Sequence, residues 1–453
     1  MKHFDQSGAP GFYLETYGCQ MNVADSQVVA GVLSRAGCRR VERPQDADFV
    51  LLNTCAIRER AETRVLARLS ELAGLKSRRP GLKLGLLGCM AQHNRGRLVE
   101  KAPYLDLVVG PDGYRRLPEL LGHDGFDPAV EVRLNRLETY EDIEPVPEDR
   151  VRAYVTVMRG CDRFCAFCVV PYVRGRERSL APQSVTNEVR RLAARGVKEV
   201  ILLGQTVNAY RYGTTDFAAL LRAVAAVDGI ARIRFTSPHP LEMTERLIEV
   251  MATEPKVQPY LHLPVQSGSN RVLEMMGRGH TAEQYLDLVG RLRRAVAGLA
   301  LSTDIIVGFH GEAEQDFAAT LALLRAVRFD AAFTFKYSRR EHTRAFGWGD
   351  TVPEDEKSAR LAEVIALQEV IALERNRELV GSAVPVLVEG QARRGGALLT
   401  GKTPQFKTAV FAPLMPVAAG DTIAARVCSA TSHTLICDQL VGEPGRQGLA
   451  SAS

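Results

Sequence analysis

The 453-residue sequence has no run of about 18 apolar residues, so it predicts no transmembrane helix. Its first residues, MKHFDQSGAPG, lack the apolar segment of a secretory signal, and we therefore expect a cytoplasmic protein. A formal net charge of +5 is too small to indicate a polyanionic partner by itself. Hydrophobic residues make up 46% and charged residues 25% of the chain, which excludes a disordered or fibrous protein.

The cysteines do not indicate a disulfide framework, because there are nine of them and no export signal is present. Metal binding or redox chemistry is therefore the leading hypothesis for their function. They are located at positions 19, 38, 55, 89, 161, 165, 168, 428 and 437.

The N-terminal part repeats a pattern in which a short apolar run ends at a cysteine and a helical stretch follows. The three runs are FYLETYGC, DFVLLNTC and KLGLLGC, which end at Cys19, Cys55 and Cys89. Alternating strands and helices predict an open parallel α/β domain. Because the carboxyl ends of parallel strands lie along one edge of the sheet, we expect these three cysteines to converge there.

Residues 137–150 are rich in acidic residues and proline, which predicts an extended linker or domain boundary. Six strands that alternate with helices then favour a partial or complete βα barrel, with its active site at the carboxyl ends of the strands. An open Rossmann-like sheet is the alternative. The predicted strands are 152–158, 199–204, 232–237, 260–265, 301–309 and 331–338.

The C-terminal part changes from helix to strand. Residues 353–380 have an amphipathic helical pattern without glycine and predict one long helix. Five short β-rich runs follow, and they predict a small β-barrel. The last residues, GEPGRQGLASAS, predict a disordered tail. We therefore expect three domains, at 11–126, 147–378 and 380–442.

Cys161, Cys165 and Cys168 form a C-x-x-x-C-x-x-C motif directly after the first predicted barrel strand. Three thiolates on one loop can bind three irons of a cubane cluster and leave the fourth iron open to a small chelating ligand. A structural zinc site is the alternative, but such sites have four ligands, and the next histidine is His239. The motif therefore favours an iron–sulfur cluster.

With Phe167 before its last cysteine, the motif resembles that of the radical S-adenosylmethionine (SAM) superfamily. In that superfamily the amino and carboxylate groups of SAM chelate the open iron. An electron from the cluster then cleaves SAM into methionine and a 5′-deoxyadenosyl radical. The resemblance implies that the protein positions SAM and keeps the site dry, while the cofactor supplies the chemistry.

From about residue 11 to residue 441 the sequence resembles the methylthiotransferases of this superfamily, in their MiaB branch. The resemblance implies that Cys19, Cys55 and Cys89 hold an auxiliary [4Fe–4S] cluster in the N-terminal domain. It also implies a radical SAM core and a C-terminal TRAM domain that binds RNA. The matching segments are YGCQMN, NTCAIRERAE, GCMAQ, GCDRFCAFCVVPYVRGRERS, LLGQTVNAY, HLPVQSGSNRVLEMMGRGHT and TDIIVGF.

The reaction that this resemblance implies is transfer of a methylthio group to C2 of N6-(dimethylallyl)adenosine at position 37 of tRNA. One SAM would supply the methyl group, and a second would be the source of the radical. The implied partners are the tRNA anticodon stem-loop, an electron-donor protein, and a sulfur or cluster-assembly donor. We expect a monomer.

The resemblance also implies SAM contacts at the ends of the barrel strands, where polar turns are the alternative. Two segments depart from the usual family pattern, namely GFHGEA, at His310 and Ala313, and YSRREHT, at 337–343. The expected SAM contacts are Phe167, Gly204, Gln205, Asn208, Gln266, Ser267, Val307 and Gly308.

RNA contacts are expected at two places. Beside the second triad, arginine forks suit phosphate oxygens, whereas in the C-terminal barrel, whose net charge is only slightly positive, the expectation is mainly what the resemblance implies. A solvated loop that pairs with Glu177 is the alternative for the first group. Phe406 and Phe411 could stack on bases. The predicted RNA-binding residues are Arg174, Arg176 and Arg178 beside the second triad, and Arg393, Arg394, Lys402 and Lys407 in the C-terminal barrel.

Other functions remain open from the sequence. The rival substrates within the family are threonylcarbamoyladenosine in tRNA and an aspartate of a ribosomal protein, and the segments YGCQMN and DRFCAFC argue against both. A non-catalytic iron–sulfur protein that binds RNA or transfers electrons is the rival from another class. Cys38, Cys428 and Cys437 fit neither triad, and we expect them to be packing residues.

Overall fold

The structure, a computed structural model, describes residues 8–56, 59–94, 97–123, 127–147, 149–393 and 396–440. None of the helices within these ranges is long and apolar enough to cross a lipid bilayer.

The N-terminal region is built on one six-stranded sheet. Its strands are β1 (Gly11–Tyr17), β2 (Arg39–Arg40), β3 (Phe49–Thr54), β4 (Lys83–Gly88), β5 (Leu107–Val109) and β6 (Ala129–Glu131). All neighbours pair in parallel, in the order β2-β1-β3-β4-β5-β6, which confirms the open parallel α/β domain. The helices are α1 (Gln20–Arg35), α2 (Glu59–Ala73), α3 (Cys89–Asn94), α4 (Arg97–Lys101) and α5 (Leu117–Leu121).

The acidic segment that follows is a packed connection. Its described residues form neither helix nor strand, as expected of a linker. However, Tyr140 and Ile143 are buried in the N-terminal core, and the Tyr140 ring stacks on Tyr114 at 5.8 Å between centroids. Glu138 accepts from Arg115 at 2.9 Å. The segment is therefore anchored to the first domain along its length.

The central region contains six main parallel strands, each followed by helical chain. Its strands are β7 (Arg152–Thr156), β8 (Met158–Arg159), β9 (Arg178–Ser179), β10 (Glu199–Leu203), β11 (Arg211–Tyr212), β12 (Thr215–Asp216), β13 (Arg232–Phe235), β14 (Tyr260–His262), β15 (Ala300–Val307) and β16 (Ala331–Lys336). Its helices are α6 (Val170–Arg174), α7 (Pro182–Ala194), α8 (Phe217–Ala225), α9 (Glu245–Thr253), α10 (Asn270–Met276), α11 (Ala282–Ala295), α12 (Glu314–Val327) and α13 (Glu354–Arg377).

The six main strands form a partial barrel. They are arranged as β13-β10-β7 and β14-β15-β16, and a parallel bridge between Ile233 and Val257 joins the two groups. All six predicted strands are present, although several end earlier than predicted. The backbone leaves the strand geometry after β13 and β14, with left-handed φ values of 60° at Ser237 and 82° at Gln266. These early ends produce the loops that surround the barrel mouth.

The C-terminal region is a closed five-stranded barrel, as predicted. Its strands are β17 (Ala383–Gln391), β18 (Leu399–Lys402), β19 (Thr408–Ala412), β20 (Thr422–Ala430) and β21 (Thr434–Gln439), in the order β17-β18-β19-β21-β20. Cys437 packs in the barrel core and Cys38 in the N-terminal core, as expected. The prediction was wrong for Cys428, which is exposed because its neighbour Val427 points into the core. The predicted disordered tail lies outside the described residues.

Phe406 attaches this small barrel to the amino-terminal end of the large one. Its ring lies 5.1 Å from the Tyr260 ring and 4.6 Å from the Arg234 guanidinium. Glu199 accepts from Arg234 at 2.8 Å and balances its charge. The two barrels are therefore joined at the end opposite to the barrel mouth.

Candidate active site with two cysteine triads

The first triad, Cys19, Cys55 and Cys89, lies along the carboxyl edge of the N-terminal sheet. The last residues of β1 and β3 are paired in the register, Tyr17 with Thr54, and Thr54 pairs in turn with Gly88 at the end of β4. The three cysteines follow on three adjacent strands. The expected convergence is confirmed, and the parallel register is its cause.

Local backbone geometry turns these cysteines out of the sheet. Gly88 has a φ of 91°, and a Cβ there would lie 2.6 Å from the carbonyl oxygen of Thr54, so only glycine fits before Cys89. A hydrogen bond from Cys55, with the positive charge of Arg174 adding to it, lowers the pKa of Cys19 to about 6. Burial raises the pKa of Cys89. Binding to iron, which requires thiolates, would overcome this cost of burial.

The second triad, Cys161, Cys165 and Cys168, lies on the loop between β8 and α6. Gly160 precedes it with a φ of 80°, and a Cβ there would lie 2.6 Å from the carbonyl oxygen of Gly175. The amide of Cys161 donates to that same oxygen at 3.1 Å, and the amide of Cys168 donates to the carbonyl of Cys165 at 3.0 Å. These contacts fold the loop back on itself. Burial raises the pKa of Cys168 to about 12.

Two side chains that the sequence reasoning missed contact the second triad. The hydroxyl oxygen of Thr206 lies 3.2 Å from Sγ of Cys161. Nη1 of Arg278 lies 3.5 Å from Sγ of Cys165, while its Nη2 donates to the carbonyl of Pro264 at 2.8 Å. Both residues are polar and lie next to predicted SAM contacts, in segments that resemble the methylthiotransferases. That position is the sequence signal that could have identified them.

Several buried polar atoms around the second triad have no hydrogen-bond partner within the described ranges. They include both amide atoms of Gln205, Nε of Arg278 and the Nε2 atoms of His239 and His280. Burial lowers the pKa of His239 to about 2 and that of His280 to about 4, so both imidazoles are neutral at pH 7. Buried polar atoms are normally satisfied, so this group fits a polar organic ligand such as SAM.

In the part of the chain that the structure describes, no three thiol, imidazole or carboxylate groups are close enough to share one metal ion. A zinc ion would require such a group. A cubane does not, because each cysteine binds a different iron. The residues of both triads thus fit iron–sulfur clusters.

Most of the predicted SAM contacts lie at strand ends around the barrel mouth. A Cβ at Gly204 would lie 2.6 Å from Cγ of Met158, and one at Gly308 would lie 3.0 Å from Cδ of Lys357, so both glycines allow close packing. The Phe167 ring meets the Phe309 ring edge to face at 6.3 Å. Val307 is buried in the barrel core.

The structure places two predicted SAM contacts differently. The side-chain amide of Asn208 donates to the carbonyl of His239 at 2.9 Å and accepts from its backbone amide at 2.8 Å. Ser267 is fully buried, lies 3.3 Å from the hydroxyl of Thr320 and accepts from the amide of Ser269. Both side chains thus join loops within the protein. Sequence position could not distinguish these two roles.

The prediction that Arg174 and Arg178 contact RNA is corrected by their burial. Arg174 is 3% exposed and pairs with Asp25 at 2.8 Å. Arg178 pairs with Asp112 at 2.9 Å. Both carboxylates belong to the N-terminal domain, so these arginines join the domains. Arg176, between them, has a side chain that is 56% exposed and pairs with Asp162 at 2.7 Å.

Of the predicted RNA-binding residues in the C-terminal barrel, some are exposed and others make contacts within the protein. Arg393 is exposed, whereas Arg394 lies outside the described residues. Lys407 pairs with Asp330 at 2.6 Å, and Lys402 donates to Thr408 at 2.7 Å. Phe411 is buried in the core of the small barrel, and Phe406 lies between the barrels as described above. The two lysines and two phenylalanines therefore serve packing and domain contacts.

The unusual segment 337–343 contacts the N-terminal domain. Glu341 accepts from Arg97 at 2.7 Å, and the ring of His342 lies 5.6 Å from that of His93. In the other departing segment, Nδ1 of His310 lies 3.3 Å from the carbonyl of Gly349. The first departure thus lies at a domain contact.

Comparisons with known proteins identify the family of this chain. Residues 155–324 match the Radical SAM superfamily, and residues 11–110 match the uncharacterized protein family UPF0004. The tRNA-2-methylthio-N(6)-dimethylallyladenosine synthase of Chlorobium luteolum is 48% identical over 435 residues, 94% of this chain and 96% of that protein. The synthase of the same name from Bacteroides thetaiotaomicron is 45% identical and covers 93% of this chain and 94% of its own length.

This chain belongs to the tRNA-2-methylthio-N(6)-dimethylallyladenosine synthase family. As a member of this family it is a radical SAM enzyme that transfers a sulfur-containing group, and its cofactors are SAM and [4Fe–4S] clusters. The radical SAM methyltransferase TsrM of Kitasatospora setae, whose structure contains cobalamin and a [4Fe–4S] cluster, shares the fold with a TM-score of 0.57. It is 14% identical and covers 86% of this chain and 80% of its own.

Proposed function

We propose that this enzyme transfers a methylthio group to C2 of N6-(dimethylallyl)adenosine at position 37 of tRNA. The observation that carries the proposal is the presence of two cysteine triads on separate structural supports in a chain 48% identical to a synthase named for this reaction. Two SAM molecules would be used, one as methyl donor and one as the source of the radical that removes hydrogen from C2. That carbon has no acidic proton, so acid–base chemistry alone is a poor route.

Cys161, Cys165 and Cys168 would hold the cluster that binds SAM. Around them, the unpartnered amide of Gln205 and the neutral imidazoles of His239 and His280 would supply hydrogen bonds to its polar groups. Neutral imidazoles can both donate and accept, which suits a ligand that carries an amine and a carboxylate.

Cys19, Cys55 and Cys89 would hold the auxiliary cluster, from which sulfur is delivered. Each triad supplies three thiolates, so one iron of each cluster would lack a protein ligand. The exposed position of Cys19 at the sheet edge keeps one side of this triad open to an incoming substrate.

The tRNA would bind through its anticodon stem-loop. The target base must leave its stack to reach the barrel mouth, as in other enzymes that modify bases. Exposed Arg176, beside the second triad, and Arg393, on the small barrel, would contact phosphates. The reaction would also require an electron-donor protein and a sulfur or cluster-assembly donor, and we expect the enzyme to act in the cytoplasm as a monomer.

Mass spectrometry of tRNA nucleosides from cells that lack this protein tests the proposal. We expect the methylthio mark to disappear from N6-(dimethylallyl)adenosine and the unmodified nucleoside to accumulate. Loss of the mark from threonylcarbamoyladenosine instead, or an unchanged nucleoside profile, would contradict the proposed substrate. Complementation with the parent sequence is the control.

A further inference from the structure

A buried arginine lies between the two triads. Arg174 is the last residue of α6, the short helix that begins two residues after Cys168. This helix packs against α3, whose first residue is Cys89. Val169 and Val173 form a small apolar cluster with Cys89 and Ala56. The chain from the second triad therefore brings the Arg174 side chain to the first triad.

Asp25 holds Arg174 in place. Nη2 of Arg174 donates to Oδ2 of Asp25 at 2.8 Å, and Asp25 is fully buried on α1. The hydroxyl of Tyr114 donates to the same oxygen at 3.4 Å. Oδ2 of Asp25 thus accepts from both residues and holds the guanidinium of Arg174 beside α1.

The other terminal nitrogen of this guanidinium is unused. Nη1 of Arg174 is buried and has no hydrogen-bond partner among the described residues. A buried donor without a partner costs about 1–3 kcal/mol, and more when it is charged. Such a group is expected where a ligand completes the hydrogen bond.

The local charge points to an anionic ligand. Asp25 also pairs with Arg159 at 2.9 Å, so one buried carboxylate serves two buried guanidinium groups. The neighbouring pair of Arg178 with Asp112 is balanced. An excess positive charge therefore remains beside the first triad, because the helix that carries Arg174 packs against Cys89 and its helix α3.

We propose that Nη1 of Arg174 donates a hydrogen bond to sulfur at the auxiliary cluster and thereby raises the reduction potential of that cluster. Hydrogen bonds to cluster sulfur and nearby positive charge both favour the reduced, more negative state. Asp25 is the positioning residue that orients the guanidinium. The inference rests on the proposed assignment of Cys19, Cys55 and Cys89 to the auxiliary cluster.

The test uses the full chain with all three cysteines of the second triad replaced by alanine, so that only the auxiliary cluster is observed. Anaerobic reconstitution followed by an EPR-monitored redox titration gives its midpoint potential. In this background Arg174→Gln should shift the reduction equilibrium at least tenfold toward the oxidised state, which is about 59 mV for one electron. Arg174→Lys keeps the charge and should shift it less.

Two further variants separate this role from a structural one. Asp25→Asn keeps an oxygen that can accept from Nη2 of Arg174, so the guanidinium stays oriented, but it removes the negative charge; the potential should therefore move in the opposite direction to Arg174→Gln. Arg178→Gln removes the same charge from another buried domain contact, but Arg178 bonds to Asp112 and to backbone carbonyls, so this variant should shift the potential much less than Arg174→Gln. A potential unaffected by Arg174→Gln, or moved as far by Arg178→Gln, would overturn the inference.

The iron content of the variant that carries only the three alanine substitutions identifies which claim fails. About four irons per chain are expected there. If the background binds no cluster, the assignment of the first triad is wrong and the inference falls with it. If it binds a cluster whose midpoint potential is unchanged by Arg174→Gln, only the inference is wrong. Should Arg174→Gln fail to fold, the opposed shifts expected for Arg174→Lys and Asp25→Asn still decide the question.

Discussion

The two triads present the same three thiols on different structural supports. Cys161, Cys165 and Cys168 lie on one loop, whose geometry depends on Gly160 and a few local hydrogen bonds. Cys19, Cys55 and Cys89 are brought together by the register of three parallel strands. One site is therefore encoded locally, whereas the other exists only when a whole domain has folded.

Their surroundings differ as well, and this difference separates their chemistry. Unpartnered amide and neutral imidazole groups, at Gln205, His239 and His280, surround the second triad and suit a polar organic ligand. Buried guanidinium groups adjoin both triads, Arg174 at the first and Arg278 at the second. At the first triad Arg174 shares one carboxylate with Arg159, and the excess positive charge suits an anion. The comparison teaches that two sets of three thiols can be set in different surroundings, with unpartnered polar groups beside the second triad and excess positive charge beside the first.

The largest effect is expected from Cys161→Ala. Loss of one ligand to the SAM-binding cluster should abolish 5′-deoxyadenosine formation, because the electron that cleaves SAM would come from that cluster. The measurement is chromatographic quantification of 5′-deoxyadenosine under strongly reducing conditions. Cys38→Ala, at a buried cysteine outside both triads, should retain it. Persistent SAM cleavage in Cys161→Ala would show that the second triad does not hold the cluster that cleaves SAM.

Cys55→Ala should remove the other cluster. Iron content after anaerobic reconstitution should fall from about eight to about four per chain, while the remaining cluster still binds SAM. Iron analysis combined with Mössbauer spectroscopy measures this. Cys428→Ala, which changes an exposed cysteine far from the sheet edge in sequence, is the matched control and should keep both clusters. An unchanged iron content in Cys55→Ala would show that the first triad does not hold an iron–sulfur cluster.

Asp25→Asn tests whether the first triad depends on the domain interface. It leaves Arg159 and Arg174 buried without their shared carboxylate, which should cost about 3–5 kcal/mol in the free energy of unfolding. Urea denaturation followed by circular dichroism gives this value. The exposed pair of Arg222 with Glu249 provides a control, since Glu249→Gln should change stability little. Equal effects of the two substitutions would contradict a special role for this interface.

Arg176→Ala should have the smallest effect on stability, less than about 0.5 kcal/mol, because its side chain is exposed. It should nevertheless weaken tRNA binding. The slope of log affinity against log salt concentration should decrease by about 1, as expected for the loss of one phosphate contact. Fluorescence anisotropy with a labelled stem-loop at several salt concentrations measures both quantities. Unchanged affinity and salt slope would mean that no arginine of this loop contacts RNA.

The sequence predicted the strands, both triads and the three-part architecture because each leaves a local pattern. Short apolar runs ending in cysteine mark the sheet edge, and alternating residues mark the small barrel. It did not predict the fate of Arg174, Lys407 or Phe406, since their partners, Asp25, Asp330 and Tyr260, are distant in sequence. A basic residue in a domain contact has the same local pattern as one that binds RNA.

The same reasoning explains the site residues that were misplaced or missed. Asn208 and Ser267 follow strands as ligand contacts do, but neighbouring loops take up their hydrogen bonds. Arg278 reaches Cys165 from the loop after α10, a contact that depends on how the barrel closes. Interactions across loops and domains are set by packing, which the spacing of residues along one strand does not record.

The division of work between the triads is tested most directly by one assay of Cys55→Ala, with SAM, reductant and tRNA containing N6-(dimethylallyl)adenosine. Mass spectrometry of the same reaction quantifies 5′-deoxyadenosine and the methylthiolated nucleoside together. The account predicts that 5′-deoxyadenosine still forms while methylthiolation is lost. Formation of the methylthiolated nucleoside at the parent level by this variant would contradict it.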